Sequence, residues 1–168
     1  ELTDVAAGGS EGYARIIQTR NYSRDYADGD GRRIHSGYGR HSLTGIVGLT
    51  PDTDTLFEVA YDRSRGWAKY AHGMMDGSQF DRDTYAVKFE RSHLSPVVEK
   101  LTLNFNHDTI DHIMDNYTLR PAGMRAMGTD VKRVQYGVRA VTDLRFSPQT
   151  SAAVGLELRR DAHYFAEA

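Results

Sequence analysis

The sequence predicts an all-β chain, an antiparallel meander of about seven long strands. Three observations predict it. A two-residue alternation of apolar and polar side chains recurs along the chain, and a 3.6-residue helical period is hard to find. The alternating segments exceed the roughly 5–6 residues of an ordinary strand. The connections between them come in two sizes, short and long, in alternation.

In chain order, the first two predicted strands, near 12–24 and 34–49, alternate loosely but carry strand-like residues. The third, 54–66, sets Phe57, Val59 and Tyr61 against Glu58, Ala60 and Asp62. The fourth, 81–92, sets Tyr85, Val87 and Phe89 against Ala86, Lys88 and Glu90. The fifth, 99–109, sets Leu101, Leu103 and Phe105 against Thr102, Asn104 and Asn106. The sixth, 133–147, sets Val134, Tyr136 and Val138 against Gln135, Gly137 and Arg139. The seventh, 150–165, sets Ala152, Val154, Leu156 and Leu158 against Ala153, Gly155, Glu157 and Arg159. Short proline-containing turn signals lie at Thr50–Asp54, Ser92–Pro96 and Ser147–Thr150. Longer polar connections lie at Asp25–Arg33, Gly66–Phe80 and Asp108–Lys132. A meander then has its short turns at one end and its long loops at the other. Outer-membrane barrels have that asymmetry, with lipid on the apolar face and a wet lumen on the polar one. A soluble antiparallel barrel or sandwich also alternates, so the pattern by itself leaves both open.

Composition narrows the function classes. The 168 residues carry a net charge of -2 with both signs interspersed, which argues against a nucleic-acid partner. There is no cysteine, hence no disulfide framework and no thiolate zinc site in this chain. No run reaches the roughly 20 apolar residues of a membrane helix, and there is no signal-peptide pattern. The chain reads as a piece of a longer protein, because a set of seven strands leaves two bare edges. No enzyme is expected: there is no G-x-S-x-G, P-loop or H-E-x-x-H. Asp25, Asp28 and Asp30 around Gly29 and Gly31 resemble part of a calcium loop, but the ligand spacing is incomplete and a loop turn is the better reading.

The chemistry-bearing stretch is Asp111–Tyr117, with His112 and Met114 two apart in polar surroundings. In an extended chain these two side chains share a side. Imidazole suits copper and zinc, and a thioether is soft and selects Cu(I). The pair makes a chemically sensible half-site. The plainer alternative is a methionine packing against Ile113 or Tyr117 and a histidine capping a turn. A second cluster, His72, Met74 and Met75, falls in the predicted 66–80 connection, as a weaker capture site or a loop packed over the mouth. Met124 and Met127 fall in the 108–132 connection. All five methionines are thus expected in the two longest loops. His35 and His41 are expected on one strand, about 20 Å apart and too distant to share an ion. These two, with His93, His107 and His163, are expected to be solvated or hydrogen-bonded.

Several stretches together resemble a known family: Gly12–Arg15, Tyr26–Gly31, Thr50–Leu56, Met75–Phe80 and, most specifically, Asp111–Arg120. The chain resembles the N-terminal barrel strands of a TonB-dependent outer-membrane receptor, in its copper-receptor branch (OprC/NosA-like), from about Gly12 to Tyr164. The resemblance implies that residues 1–168 are part of a transmembrane barrel of about 22 strands whose plug domain is absent here. It implies a bacterial outer-membrane location, lipid around the barrel, copper as the transported ligand, and a TonB complex acting through the plug. His112 and Met114 would be metal ligands on an extracellular loop, completed by a cysteine and a methionine of the plug. Two rivals stand beside it: a TonB-dependent receptor for a siderophore or other metal complex, and a soluble β-barrel binding protein.

Overall fold

The computed structural model describes residues 1–121 and 125–167. Eight long strands form one antiparallel sheet in chain order. They are β1 (Leu2–Gly9), β2 (Gly12–Ser23), β5 (Tyr38–Asp52), β6 (Thr55–Ala68), β7 (Asp76–Ser92), β8 (Val98–Asp115), β9 (Gly128–Ser147) and β10 (Thr150–Glu167). A minimal hairpin, β3 (Tyr26–Ala27) with β4 (Arg33–Ile34), sits in the loop between β2 and β5.

The expected count of seven misses β1. Its sequence, ending Ala6-Ala7-Gly8-Gly9, has no run of large apolar residues to reveal a period. It is nonetheless paired throughout with β2, from Leu2↔Thr19 to Gly9↔Gly12. The strands also run further into the predicted long connections than alternation shows. β7 begins at Asp76, β8 reaches Asp115 and β9 begins at Gly128. At these ends both faces carry polar groups, so the sequence pattern fades while the backbone ladder continues. The short turns span 10–11, 53–54, 93–97 and 148–149; the longer connections join Ser23 to Tyr38, Ala68 to Asp76 and Asp115 to Gly128. The predicted separation of turns and loops to opposite ends therefore holds.

Residues directly opposed in an antiparallel ladder share a face. One such row crosses seven strands: Ala14, Val47, Val59, Val87, Phe105, Val138 and Leu158. These side chains are largely uncovered, Leu158 being 63% exposed, and no hydrophobic residue among the described residues is buried. The other face carries polar networks. Asp62 accepts from the Thr44 hydroxyl at 2.6 Å. Asp108 accepts from Arg82 (2.6 Å), Thr84 (2.7 Å) and Asn106 (2.9 Å). Glu90 pairs with Lys88 (3.1 Å) and Lys100 (2.9 Å). The sheet does not close on itself: among the described residues, β1 and β10 make no contact with each other, and each has an unpaired edge.

Asp25 anchors the 24–37 loop. One carboxylate oxygen accepts the Gly37 amide at 2.8 Å and the Ser36 amide at 3.2 Å, and Lys69 approaches to 3.3 Å. Asp28 accepts the Asp30 and Arg32 amides at 3.0 and 2.8 Å. Both carboxylates are thus taken up by turn amides, as the loop-turn reading expects. The Gly37 amide, opposed by burial and aided by Lys69 and Ser36, lowers the Asp25 carboxyl from 3.8 to about 2. A depressed carboxyl stabilises the fold above its ordinary value and loses that contribution as pH falls through its folded value. The loop is therefore predicted to stay protected from hydrogen exchange down to pH 3.8 and to open between there and about pH 2. An Asp25→Asn variant should show no such pH step.

Candidate metal site at the loop end of the sheet

His112 and Met114 lie within β8, not in a loop as expected. Met114 is therefore a strand residue, and the placing of all five methionines in loops is corrected. The pleat keeps His112 and Met114 on one face. Their rung partners on β7 are Phe80 and Gly77, and on β9 Val131 and Thr129. Between those rungs β7 carries a bulge at Ser78, whose hydroxyl donates to the Ile113 carbonyl at 3.3 Å.

Gly77 explains the local packing. A Cβ there would overlap the Phe80 ring, which occupies the space a side chain would fill. Phe80 in turn packs against the His112 imidazole, with centroids 4.5 Å apart. The Nε2 of His112 is buried and has no hydrogen-bond partner. A sealed polar atom without a partner is uncommon in proteins, because it has lost water and gained nothing. An imidazole nitrogen in that condition fits a ligand supplied from outside the chain.

The His112 ring lines a recess with Phe80, Tyr38 and Trp67, and Met114 opens toward a different one, lined also by Tyr70, Ala71, His72, Gly73, Met74 and Met75. The two clusters that are separate in the sequence meet here, with Met114 as the shared member. Met74 is 77% exposed at the rim. Met127 sits just before β9, its amide donating to the Asn116 side chain at 2.9 Å. Met124 lies outside the described residues. No group of three or more His, Asp or Glu side chains that could hold a metal occurs among the described residues. The donors gathered here are thioethers and imidazoles.

Five histidines lie away from both recesses. His35 lies ahead of β5, so it does not share a strand with His41 as expected; it bonds Asp76 at 2.7 Å. His41 meets Gln18 at 3.1 Å and His93 meets Asp54 at 2.8 Å. His107 stacks on Tyr136 at 4.4 Å, and its Nδ1 is also buried without a partner, with no thioether beside it on the strand. His163 stacks loosely near Phe165, with centroids 6.4 Å apart. Phe80, Asp76 and Arg120 are site-forming residues that sequence reasoning missed. An aromatic in an alternating strand and single charges in polar stretches carry no distinguishing signal.

An antiparallel meander with uncovered apolar side chains, a polar opposite face and segregated turns and loops is a segment of a β-barrel. A solved structure described as copper transporter OprC is similar to it, with 34% identity and a TM-score of 0.93. The match covers 99% of this chain and 27% of that one, so the chain spans about a quarter of that protein's length. No family model matches the sequence, and no curated protein does either. The resemblance read from the motifs and the all-β meander both stand.

Gly77→Ala is predicted to push the Phe80 ring off its seat and uncover His112. Modification of His112 by diethyl pyrocarbonate, followed by mass spectrometry, should accelerate several-fold. An unchanged rate would show that Phe80 does not shield the imidazole.

Proposed function

We propose that this chain is part of an outer-membrane, TonB-dependent receptor that imports copper, and that His112 and Met114 are half of its metal site. The observation that carries the reading is the conjunction at His112: of the two buried, partnerless imidazole nitrogens among the described residues, His107 Nδ1 and His112 Nε2, the latter stands two residues from a thioether on the same strand face. Likeness to a copper transporter supports it independently. Neutral imidazole and thioether together favour Cu(I) over hard cations. Two protein donors are too few for tight binding, so further ligands come from a plug domain, which also transmits the TonB-driven step. The recess of His72, Met74, Met75 and Met114 serves as a weaker capture site at the extracellular mouth. The metal passes from there to His112 through the shared Met114.

In this reading the apolar row faces lipid. A closed barrel in a bilayer needs no buried apolar core, because its hydrophobic face is solvated by acyl chains. Val87→Arg, in the middle of that row, should destabilise the receptor by about 2–4 kcal/mol in lipid. Denaturant titration in vesicles measures it; a cost near zero would place the row outside the bilayer.

His112→Ala and Met114→Ala should each weaken Cu(I) binding by about 10-fold or more, beyond the lower end of what losing an outer-sphere partner costs. Competition titration of the intact receptor reads this directly. Unchanged affinity in both variants overturns the assignment. Uptake of an iron chelate with no copper binding would favour a siderophore receptor.

A further inference from the structure

Asp76, the first residue of β7, is fully buried. A carboxylate there is tolerable only if its lone pairs are satisfied, and they are. One oxygen accepts from His35 Nε2 at 2.7 Å and from Arg120 Nε at 2.8 Å. The other accepts from the Tyr70 amide at 2.9 Å and from Arg120 Nη2. The guanidinium grips the carboxylate with both nitrogens, the geometry that orients as well as binds. Arg120 also donates to the Gly73 carbonyl at 2.7 Å and the Tyr70 carbonyl at 3.2 Å.

These bonds converge from three loops. His35 comes from 24–37, Tyr70 and Gly73 from 69–75, and Arg120 from 116–127. The approach of Arg120 is set by Asp115, which caps the chain leaving β8. Asp115 accepts the Tyr117 and Thr118 amides at 3.0 and 2.7 Å and the Thr118 hydroxyl at 2.8 Å. Asp115 is the rung partner of Asp76, and Met114 that of Gly77. The clamp therefore lies one rung from Met114. It holds the backbone of the 69–75 loop at Tyr70 and Gly73, on either side of His72 and just ahead of Met74 and Met75.

We propose that Asp76 and Arg120 are positioning residues for the soft-metal recess: they fix the 69–75 loop so that His72, Met74 and Met75 stand around Met114 before a metal arrives. This rests on reading the recess as a soft-metal capture site. Neither residue touches the metal. Their contribution is to remove the cost of ordering flexible thioether side chains and their loop at the moment of binding. His35 is the third contact, tying the 24–37 loop to the same carboxylate.

The test uses the intact receptor, with Ag(I) as a redox-inert soft probe. A silver-bound thioether resists peroxide, so sulfoxide formation at Met74, Met75 and Met114 is read by mass spectrometry against silver concentration. Wild type should show saturable protection. Arg120→Ala should move the protection midpoint about tenfold higher, equivalent to ordering one or two side chains at binding. Arg120→Lys, which cannot form the fork, should fall between. Protection at saturating silver should still be complete, which a collapsed loop would not give. Asp76→Asn keeps the shape and removes the charge, and should match Arg120→Ala; heat-modifiable migration identifies variants that retain a folded barrel. Unprotected methionines in wild type would defeat the recess reading itself. Protected wild type with unshifted midpoints in folded Arg120→Ala and Asp76→Asn would overturn the positioning role alone.

Discussion

Pairing register is the constraint on which the molecule depends. Side chains alternate with period two along each strand, so a slip by one residue would exchange the faces of a whole strand. Here the two faces are chemically unlike. Val59, Val87, Phe105 and Val138 form one row, and Thr44, Asp62, Thr84 and Asp108 belong to the other face. A slipped strand would set carboxylates among valines and leave Asp108 without Arg82, Thr84 and Asn106. The polar networks add selectivity rather than bulk stability. Each joins neighbouring strands in one register only, and a carboxylate left unpaired there is costly.

From that register the loop-end site follows with little additional structure. Matching rungs bring Met114 beside Gly77 and Asp115 beside Asp76. The Ser78 bulge adjusts β7 so that Phe80 both opposes His112 and covers Gly77. One short stretch of ladder thus supports three neighbouring features: a shielded imidazole, a shared thioether and a buried carboxylate that gathers loops. His112 is half-buried, its Nε2 covered and its ring lining a recess beside Phe80 and Trp67, whereas Met74 stands open at the rim.

Under the proposed function, soft donors at a barrel mouth carry a chemical logic for a scarce metal. Thioethers do not change protonation state, so their affinity is insensitive to the proton competition that weakens carboxylates and imidazoles. A half-site also leaves coordination positions free, which permits exchange onto further ligands. A closed four-ligand site would retain its metal, as structural zinc sites do. Ordering the donors in advance raises affinity without adding ligands, so exchange remains possible.

Alternation over Thr55–Arg63, Tyr85–Arg91, Leu101–His107 and Val134–Phe146 was enough to read the fold class, the strand order and the separation of turns from loops. It works because one face of each strand must remain apolar. β1 was illegible because alanine and glycine carry no contrast between faces. The outer ends of β7, β8 and β9 were illegible because both faces there are polar, which made His112 and Met114 look like loop residues. The donor chemistry is legible in the chain alone: an imidazole and a thioether at i and i+2 share a face in any extended backbone. Which donors meet depends on the folded sheet and its loops. Met114 joins His72, Met74 and Met75, His112 lies against Phe80, and Asp76 finds Arg120 44 residues away. Those contacts arise from ladder register and loop closure, and neither leaves a periodic trace along the chain.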